Sequence, residues 1–364
     1  MLARSRSSKS QKISLTSALL FFVVVAIVYL AGWFQKHEPT VPSAATASAG
    51  EYLFCLWNVE NLFDDFNDRR GPEDEEYDDW FANNPEDLQR KLDRLTEALL
   101  RLNNGGGPDI LCALEVESKR AAELLASSLN RRLAAGFSRY ETVVMEPVAA
   151  GRHIAPAMIS RLPLSARHPP RLPNPRQRIL VAGVMAGGHE LTIYATHWTS
   201  RRSDATGERR AAYADLVYGD ANRIFTRNPK ADIIVCGDFN DTPDDASVRV
   251  HLRTANWEAV RNSRELRFFN LLEGKDANRY GTHFYHKLVI YDQICLSPGL
   301  LDEFAWTCDP NTLQVIHEGL RDPESRSLKP WSFGKSDRPL HRRGYSDHFP
   351  VVARFRVQES SVVP

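Results

Sequence analysis

The 364-residue chain has no net charge, because 46 basic residues balance 46 acidic ones. A protein that gathers long nucleic acid by charge alone needs a surplus of Lys and Arg, so the balance argues against a tight, non-specific duplex binder. Cysteine is scarce and odd in number: Cys55, Cys112, Cys236, Cys295 and Cys308. No two stand in CxxC spacing, which removes the usual zinc signature, and the odd count excludes a complete disulfide framework. The first four lie inside apolar runs and read as small buried hydrophobes. Cys295–Cys308 is the one bridge that nearness in sequence would suggest. There is also no GxSxG elbow and no Walker loop, hence no signature of a serine nucleophile or a P-loop nucleotide site. No internal repeat is visible, and no second linker follows residue 50.

What is present begins with a membrane signal. Residues 1–12 carry Arg4, Arg6, Lys9 and Lys12 and no acid. Residues 13–35, "ISLTSALLFFVVVAIVYLAGWFQ", contain no charge. As a helix they would span about 34 Å, enough for a bilayer core. Tyr29 and Trp33 near the far end suit an interface. The basic flank should stay cytoplasmic, which places the carboxyl-terminal bulk outside as a periplasmic or extracellular domain. A cleaved signal peptide is the alternative: "ASA" at 47–49 resembles a cleavage site, although it lies well beyond an unusually long apolar core. Residues 36–50 are small, polar and Pro-containing and read as a flexible stalk. The expected organisation is a basic tail (1–12), a transmembrane anchor (13–35), a stalk (36–50), one domain (51–357) and a short tail (358–364).

Within that domain, strand-like and helix-like runs alternate. "YLFCLWNV", "PDILCALEV", "HIAPAMISRLPL", "ILVAGVMA", "ELTIYATHW", "IIVCGDF", "LVIYDQICLS" and "FPVVARFRV" read as strands. "PEDLQRKLDRLTEALLRLN" spaces its leucines as a helix does, with Pro85 at its start and three glycines after it. "SKRAAELLASSLNRRL" and "GERRAAYADLVYGDANRIFTR" are further helices. The mixture predicts an α/β domain with helices covering sheet faces. The acidic stretch 63–80, "FDDFNDRRGPEDEEYDDW", reads as a solvated loop that would repel a long polyanion.

Polar residues recur at the carboxyl ends of these strands. Asn58 follows "YLFCLW", Glu115 follows "DILCAL", His197 follows "LTIYAT", and Asp238 and Asn240 follow "IIVC". Asp292 lies within "VIYDQICL", and Asp347 and His348 stand just before "FPVVARF". Loops beyond strand ends are where functional groups collect. Glu115 and Asn58, with one of the aspartates, supply hard oxygen ligands suited to Mg²⁺. The two histidines are the groups of this set that titrate near neutrality. With no side-chain nucleophile in view, water is the expected nucleophile. Gly237 is expected to end its strand and let Asp238 and Asn240 point into a shared pocket. Asp241, Asp244 and Asp245 read as turn and capping residues around Pro243.

The motifs "LWNVENLFD", "PDILCALEVES", "THWTSRR", "CGDFND", "YDQICLS" and "YSDHFPVVARF" occur in an order that resembles the endonuclease/exonuclease/phosphatase superfamily, in its deoxyribonuclease-like branch, over residues 51–357. That superfamily includes pancreatic deoxyribonuclease, abasic-site endonucleases, neutral sphingomyelinases and inositol polyphosphate 5-phosphatases. The resemblance implies a four-layered α/β sandwich of two mixed sheets with helices outside. It implies a metal held through Asn58 and Glu115, with Asp347 as a further ligand that pairs with His348. It makes Asp238 the residue that orients or deprotonates the attacking water and Asn240 a phosphate ligand. His348 contacts the phosphate, His197 is an acid or phosphate ligand, and Asp292 orients one of the histidines. Many relatives carry a Tyr where this chain has Arg152 and His153, which become candidate substrate contacts. Arg201 and Arg202 of "HWTSRR" are candidate contacts at the rim.

The expected activity is Mg²⁺-dependent hydrolysis of phosphodiesters, with Mn²⁺ a possible substitute, by a membrane-anchored nuclease acting on nucleic acid. A phosphatase or lipid phosphodiesterase of the same fold is the alternative, since an anchored domain lies near head groups. A non-catalytic binding module is the third reading, and the complete set of candidate residues argues against it.

Overall fold

The computed structural model describes residues 50–68, 71–148, 151–165 and 178–358. The expected anchor, the basic tail before it, the stalk up to residue 49 and the tail from 359 lie outside the described residues. Among the described residues no helix is long and apolar enough to cross a membrane.

The strands, in chain order, are β1 (Glu51–Leu62), β2 (Ile110–Val116), β3 (Thr142–Met145), β4 (Ala155–Ser160), β5 (Ile179–Ala186), β6 (His189–His197), β7 (Ile233–Asp238), β8 (Thr254–Ala255), β9 (Phe268–Asn270), β10 (His283–Tyr285), β11 (Lys287–Val289), β12 (Asp292–Leu296), β13 (Trp306–Cys308), β14 (Gln314–Val315) and β15 (Val351–Val357). The principal helices are α1 (Glu75–Asn83), α2 (Pro85–Leu100), α3 (Lys119–Arg132) and α4 (Glu208–Arg227). One sheet has the order β13-β15-β1-β2-β4-β3, with β14 paired to β15; the other has the order β5-β6-β7-β12-β9-β8. Both are mixed: β1 and β2 run parallel, as do β6 and β7, between antiparallel neighbours. β10 and β11 form a separate hairpin.

Strand alternation sorts the apolar side chains into three cores. Phe54, Leu56, Cys112, Leu114, Ile193, Ile234, Cys236 and Ile294 fill the space between the sheets. Leu53, Cys55, Leu111 and Ala113, from the other face of the first sheet, pack against Leu88, Leu92, Leu95 and Leu99 of α2 and Leu125 and Leu129 of α3. Tyr194, Ile233 and Val235 meet Tyr213, Val217 and Phe225 of α4 on the outer face of the second sheet. The layers are therefore helix, sheet, sheet, helix. Burying each such large side chain contributes about 1.5–3 kcal/mol relative to leaving it exposed.

Several local expectations change. All five cysteines are free and buried, so no Cys295–Cys308 bridge exists. "LVIYDQICLS" is two strands, because the chain turns out of β11 at Ile290 and Tyr291 before entering β12. Gly237 does not end β7, which runs on through Asp238. Its need is steric: a Cβ there would stand 1.8 Å from the Thr196 carbonyl oxygen of the adjacent strand. The acidic stretch 63–80 is not a solvated loop either. Its second half starts α1, and Asp64, Asp74 and Asp78 are buried together with Trp80 and Phe81. Aromatic residues at 77, 80 and 81 have helical spacing and dock against Phe63 and Phe333.

Candidate active site

The site lies at one end of the crevice between the sheets, where the parallel strands β1, β2, β6 and β7 finish. Period-two alternation explains most of it. Asn58 continues the row of Phe54 and Leu56, His197 that of Ile193 and Ala195, and Asp238 that of Ile234 and Cys236. Asp292 begins the row of Ile294 and Leu296. All four therefore face the inter-sheet space. Strand register aligns three of them side by side: Asp238 pairs with His197 across the parallel ladder and with Asp292 across the antiparallel one.

Glu115 breaks this parity, since Ala113 beside it in alternation belongs to the outer face. The β2–β4 register shifts between Ala113 and Val116, and Glu115 has φ of 61°. A bulge of this kind re-aims a side chain, here toward the inner site. β1 is irregular in the same place, with Glu60 and Asn61 both at φ of 54°.

The side chains converge. The Asn58 amide donates to Glu115 Oε1 and to Asp238 Oδ2, each at 3.2 Å. Its carbonyl accepts the Glu60 backbone N–H at 3.1 Å, which fixes the amide orientation. Glu115 Oε2 accepts the Asn61 N–H at 3.1 Å. Asp238 Oδ2 stands 3.7 Å from His197 Nε2 and 3.7 Å from His348 Nε2, so one carboxylate lies between two imidazoles. The other imidazole nitrogen of His348 bonds Asp292 Oδ2 at 2.7 Å. The partner of His348 is thus Asp292. The expected Asp347–His348 pairing is replaced, and Asp347 instead offers its backbone carbonyl to His283 Nδ1 at 2.9 Å.

Burial and neighbouring charge set the protonation states. Burial, helped by the cations Arg178, His348 and Arg152, pushes His197 down to about 3 against the pull of Asp238, so it is a neutral imidazole. Burial would also lower His348, but Asp292, Asp238 and Asp347 outweigh it and hold its pKa well above the usual histidine range. Burial and the Asp292 charge raise Asp238, with His348 and His197 opposing.

Asn240 has φ of 51° and turns its amide onto the Trp198 carbonyl at 3.1 Å, while its backbone N–H caps Asp238 Oδ1 at 2.9 Å. Beneath it Phe239 stacks on Trp198 with centroids 4.2 Å apart. Asp241 is buried between two arginines: Arg210 Nε lies 2.8 Å from one oxygen and Arg201 Nη2 2.8 Å from the other. Arg201 also pairs with Asp245, so this rim arginine braces the loop. Arg202 is exposed, and Asp244 pairs with Arg249 at the surface. Arg152 and His153 are tied to the buried Asp74.

Three further residues belong to the neighbourhood and carry no signal in sequence. His283, at the start of the β10–β11 hairpin, stacks on His348 with centroids 4.2 Å apart. Glu60 reaches away from the site to accept bonds from the Ser332 hydroxyl and the Phe333 and Gly334 N–H groups. Lys91 of α2 is fully buried, donating to the Tyr345 carbonyl at 3.0 Å. Burial, with the Asp347 charge, pushes Glu60 up to about 7, and burial pushes Lys91 down to about 8. Both hold the 331–346 segment that delivers Ser346, Asp347 and His348; the Ser346 hydroxyl in turn donates to the Asn58 carbonyl at 2.6 Å.

Oxygen donors dominate the floor: Glu115, Asp238 and Asp292 with the Asn58 amide. That set suits a hard divalent cation. Two groups of described residues bring three ligand atoms within 4.8 Å of one another, Asp238–Asp292–His348 and His283–Asp347–His348. Glu115 and Asn58 belong to neither and form their own adjacent pair.

A model of the endonuclease/exonuclease/phosphatase family matches residues 54–357. The chain belongs to this family. No curated protein sequence matches it. Solved structures of similar fold include truncated Caenorhabditis elegans TDP2, with a TM-score of 0.51 at 15% identity over 85% of this chain and 99% of that one. D. rerio TDP2 complexed with single strand DNA product aligns with a TM-score of 0.50 at 14% identity, over 84% and 99% of the two chains. At these identities the likeness is one of fold. Asn58, Glu115, His197, Asp238, Asn240, Asp292 and His348 form one connected group of contacts.

Proposed function

We propose that the chain hydrolyses phosphodiester bonds by in-line attack of water, with nucleic acid as the substrate class. The observation that carries this reading is the Asp238 carboxylate set between two imidazoles of opposite character, neutral His197 and cationic His348.

Each residue has a part in this reading. Asp238 orients the attacking water and accepts its proton; burial raises the basicity of this carboxylate toward the working pH, which suits a general base. His348, kept protonated by Asp292, donates to a non-bridging phosphate oxygen and offsets the charge that builds there. His197, held neutral, donates one N–H to the phosphate rather than a full proton. Asn240 offers its second amide N–H beside it. Glu115 and Asn58 would hold Mg²⁺ or Mn²⁺, with Asp347 nearby, and the bound ion supplies charge neutralisation at the phosphate. Water forms the new P–O bond, the leaving oxygen departs opposite it, and its proton comes from solvent or from His348.

The family membership supports phosphodiester hydrolysis, and the single strand DNA product in the D. rerio relative favours nucleic acid over a lipid head group. The charge-free run 13–35 supports a membrane-tethered, extracytoplasmic location; digestion of the domain by protease added outside intact cells reads this directly, and protection would reverse it.

The test is a panel of plasmid DNA, single-stranded DNA, RNA, sphingomyelin and phosphoinositides, with and without EDTA. Cleavage of a nucleic acid that EDTA abolishes and Mg²⁺ or Mn²⁺ restores is expected. Full activity in chelator would reject the metal role, and turnover of the lipids alone would reject the substrate class.

A further inference from the structure

We propose that Asp74 and Tyr77 hold Arg152 as the binding group for a second phosphate next to the scissile one, as in a nucleic acid strand. The proposal rests on the hydrolytic reading above and narrows its substrate to a phosphodiester with a phosphorylated neighbour.

Arg152 lies in the loop before β4. Its Nε donates to Asp74 Oδ1 at 2.9 Å, and the other oxygen of Asp74 takes the His153 backbone N–H at 2.6 Å. Asp74 is 0% exposed, whereas the Arg152 side chain is 29% exposed. The guanidinium lies over the Tyr77 ring, 5.2 Å from its centroid. Tyr77 is itself stacked on Phe63, which directly follows β1, at 5.4 Å and 22°. The arginine is thus fixed by the strand that carries Asn58, by α1 and by its own loop.

Strand register brings this assembly toward the active site: Ala155, three residues beyond Arg152, pairs with Val116, which directly follows Glu115. The Arg152 charge acts on the buried His197, and the Tyr77 phenol feels Glu60 and Glu115. Among the described residues Arg152 nevertheless bonds none of the groups that would surround the scissile phosphate. Among the described residues its buried Nη2 has no hydrogen-bond partner. A buried guanidinium N–H in that state is unfavourable unless a ligand accepts from it. With Nε already taken by a carboxylate, the exposed part of this guanidinium matches phosphate oxygens. A cation so fixed selects an anionic neighbour and works against a choline head group.

The experiment compares binding of deoxythymidine 3′,5′-bisphosphate and deoxythymidine 5′-monophosphate to the full-length chain by calorimetry with Mg²⁺ present. Wild type should bind the bisphosphate at least about tenfold more tightly, the scale of one charge-assisted pair. Arg152→Gln should reduce that ratio to about one to twofold, Arg152→Lys should retain part of it, and Asp74→Asn should lower it while keeping the fold. Should Arg152→Gln fail to fold, Asp74→Asn gives the same readout. A purely structural ion pair would lower thermal stability and leave the ratio untouched, and an unchanged ratio in either folded variant overturns the proposal. Hydrolysis of the p-nitrophenyl ester of thymidine 5′-phosphate is followed separately. Turnover without any bisphosphate preference sinks the second-phosphate site alone. Preference without turnover supports that site and rejects the hydrolytic reading.

Discussion

The β7 flank and the β1 flank of the site are held in place by different means. On the β7 flank the loop after Asp238 is locked by a compact network: buried Arg210 of the adjacent helix α4 pairs with Asp241 and Asp204, and the part-exposed Arg201 pairs with Asp241 and Asp245. Gln293 of the neighbouring strand donates to the Asp241 carbonyl at 2.6 Å. On the β1 flank the supports come from segments distant in the chain. Glu60 is clasped by residues 332–334, Lys91 by Tyr345, and Asp74 by Arg152 and His153. One flank is a tight motif whose central charges, Arg210 with Asp241 and Asp204, are enclosed. The other is a set of backbone irregularities at Glu60, Asn61 and Glu115, kept in place by contacts from remote segments.

Arg210 separates the two flanks most strongly. Arg210→Met leaves the buried carboxylate of Asp241 without its buried cation. Removing one partner of a buried pair costs about 3–5 kcal/mol. Denaturant unfolding should show a loss of that size, whereas the exposed Arg202→Met should stay within about 0.5 kcal/mol. Equal losses at both positions would deny the β7 flank its rigid character.

His197 stands between the flanks, and its effect is smaller. Its folded pKa, pushed down to about 3, lies below the roughly 6.5 of an unfolded histidine. As pH falls through that window the unfolded chain takes a proton that the folded chain refuses. The stabilisation is therefore present above about 6.5 and is lost progressively toward 3. His197→Gln removes this term, so its thermal midpoint should fall less steeply than that of wild type between pH 7 and pH 4. Parallel curves would mean that the imidazole is not held neutral.

The difference between the flanks also explains what could be read from sequence. Asn58, His197, Asp238 and Asp292 were legible because each ends or begins an apolar row of period two, and the alternation alone decides which face it takes. Glu115 was legible as a motif residue, yet its parity points to the wrong face, and only the bulge at φ 61° brings it inward. The pairing of His348 with Asp292 rather than Asp347 depends on how β12 lies against the segment before β15, which no local pattern encodes. Lys91 was hidden because a lysine on an amphipathic helix normally faces water; here it is enclosed by Phe333 and the Tyr345 carbonyl. The stretch 63–80 misled because its acids outnumber the aromatic residues at 77, 80 and 81 that seat α1. Residues 13–35 carry the clearest membrane signal in the chain and lie outside the described structure.

The central claim is that Asp238 drives water onto a phosphodiester. Its most direct test is turnover by Asp238→Asn, compared with wild type, on a nucleic acid substrate with Mg²⁺ present and with folding checked by thermal melting. The amide keeps the shape of the carboxylate and loses the base. A loss of at least about 10²-fold in a folded variant is predicted, the scale of a missing general base. Turnover within a few-fold of wild type would contradict the assignment.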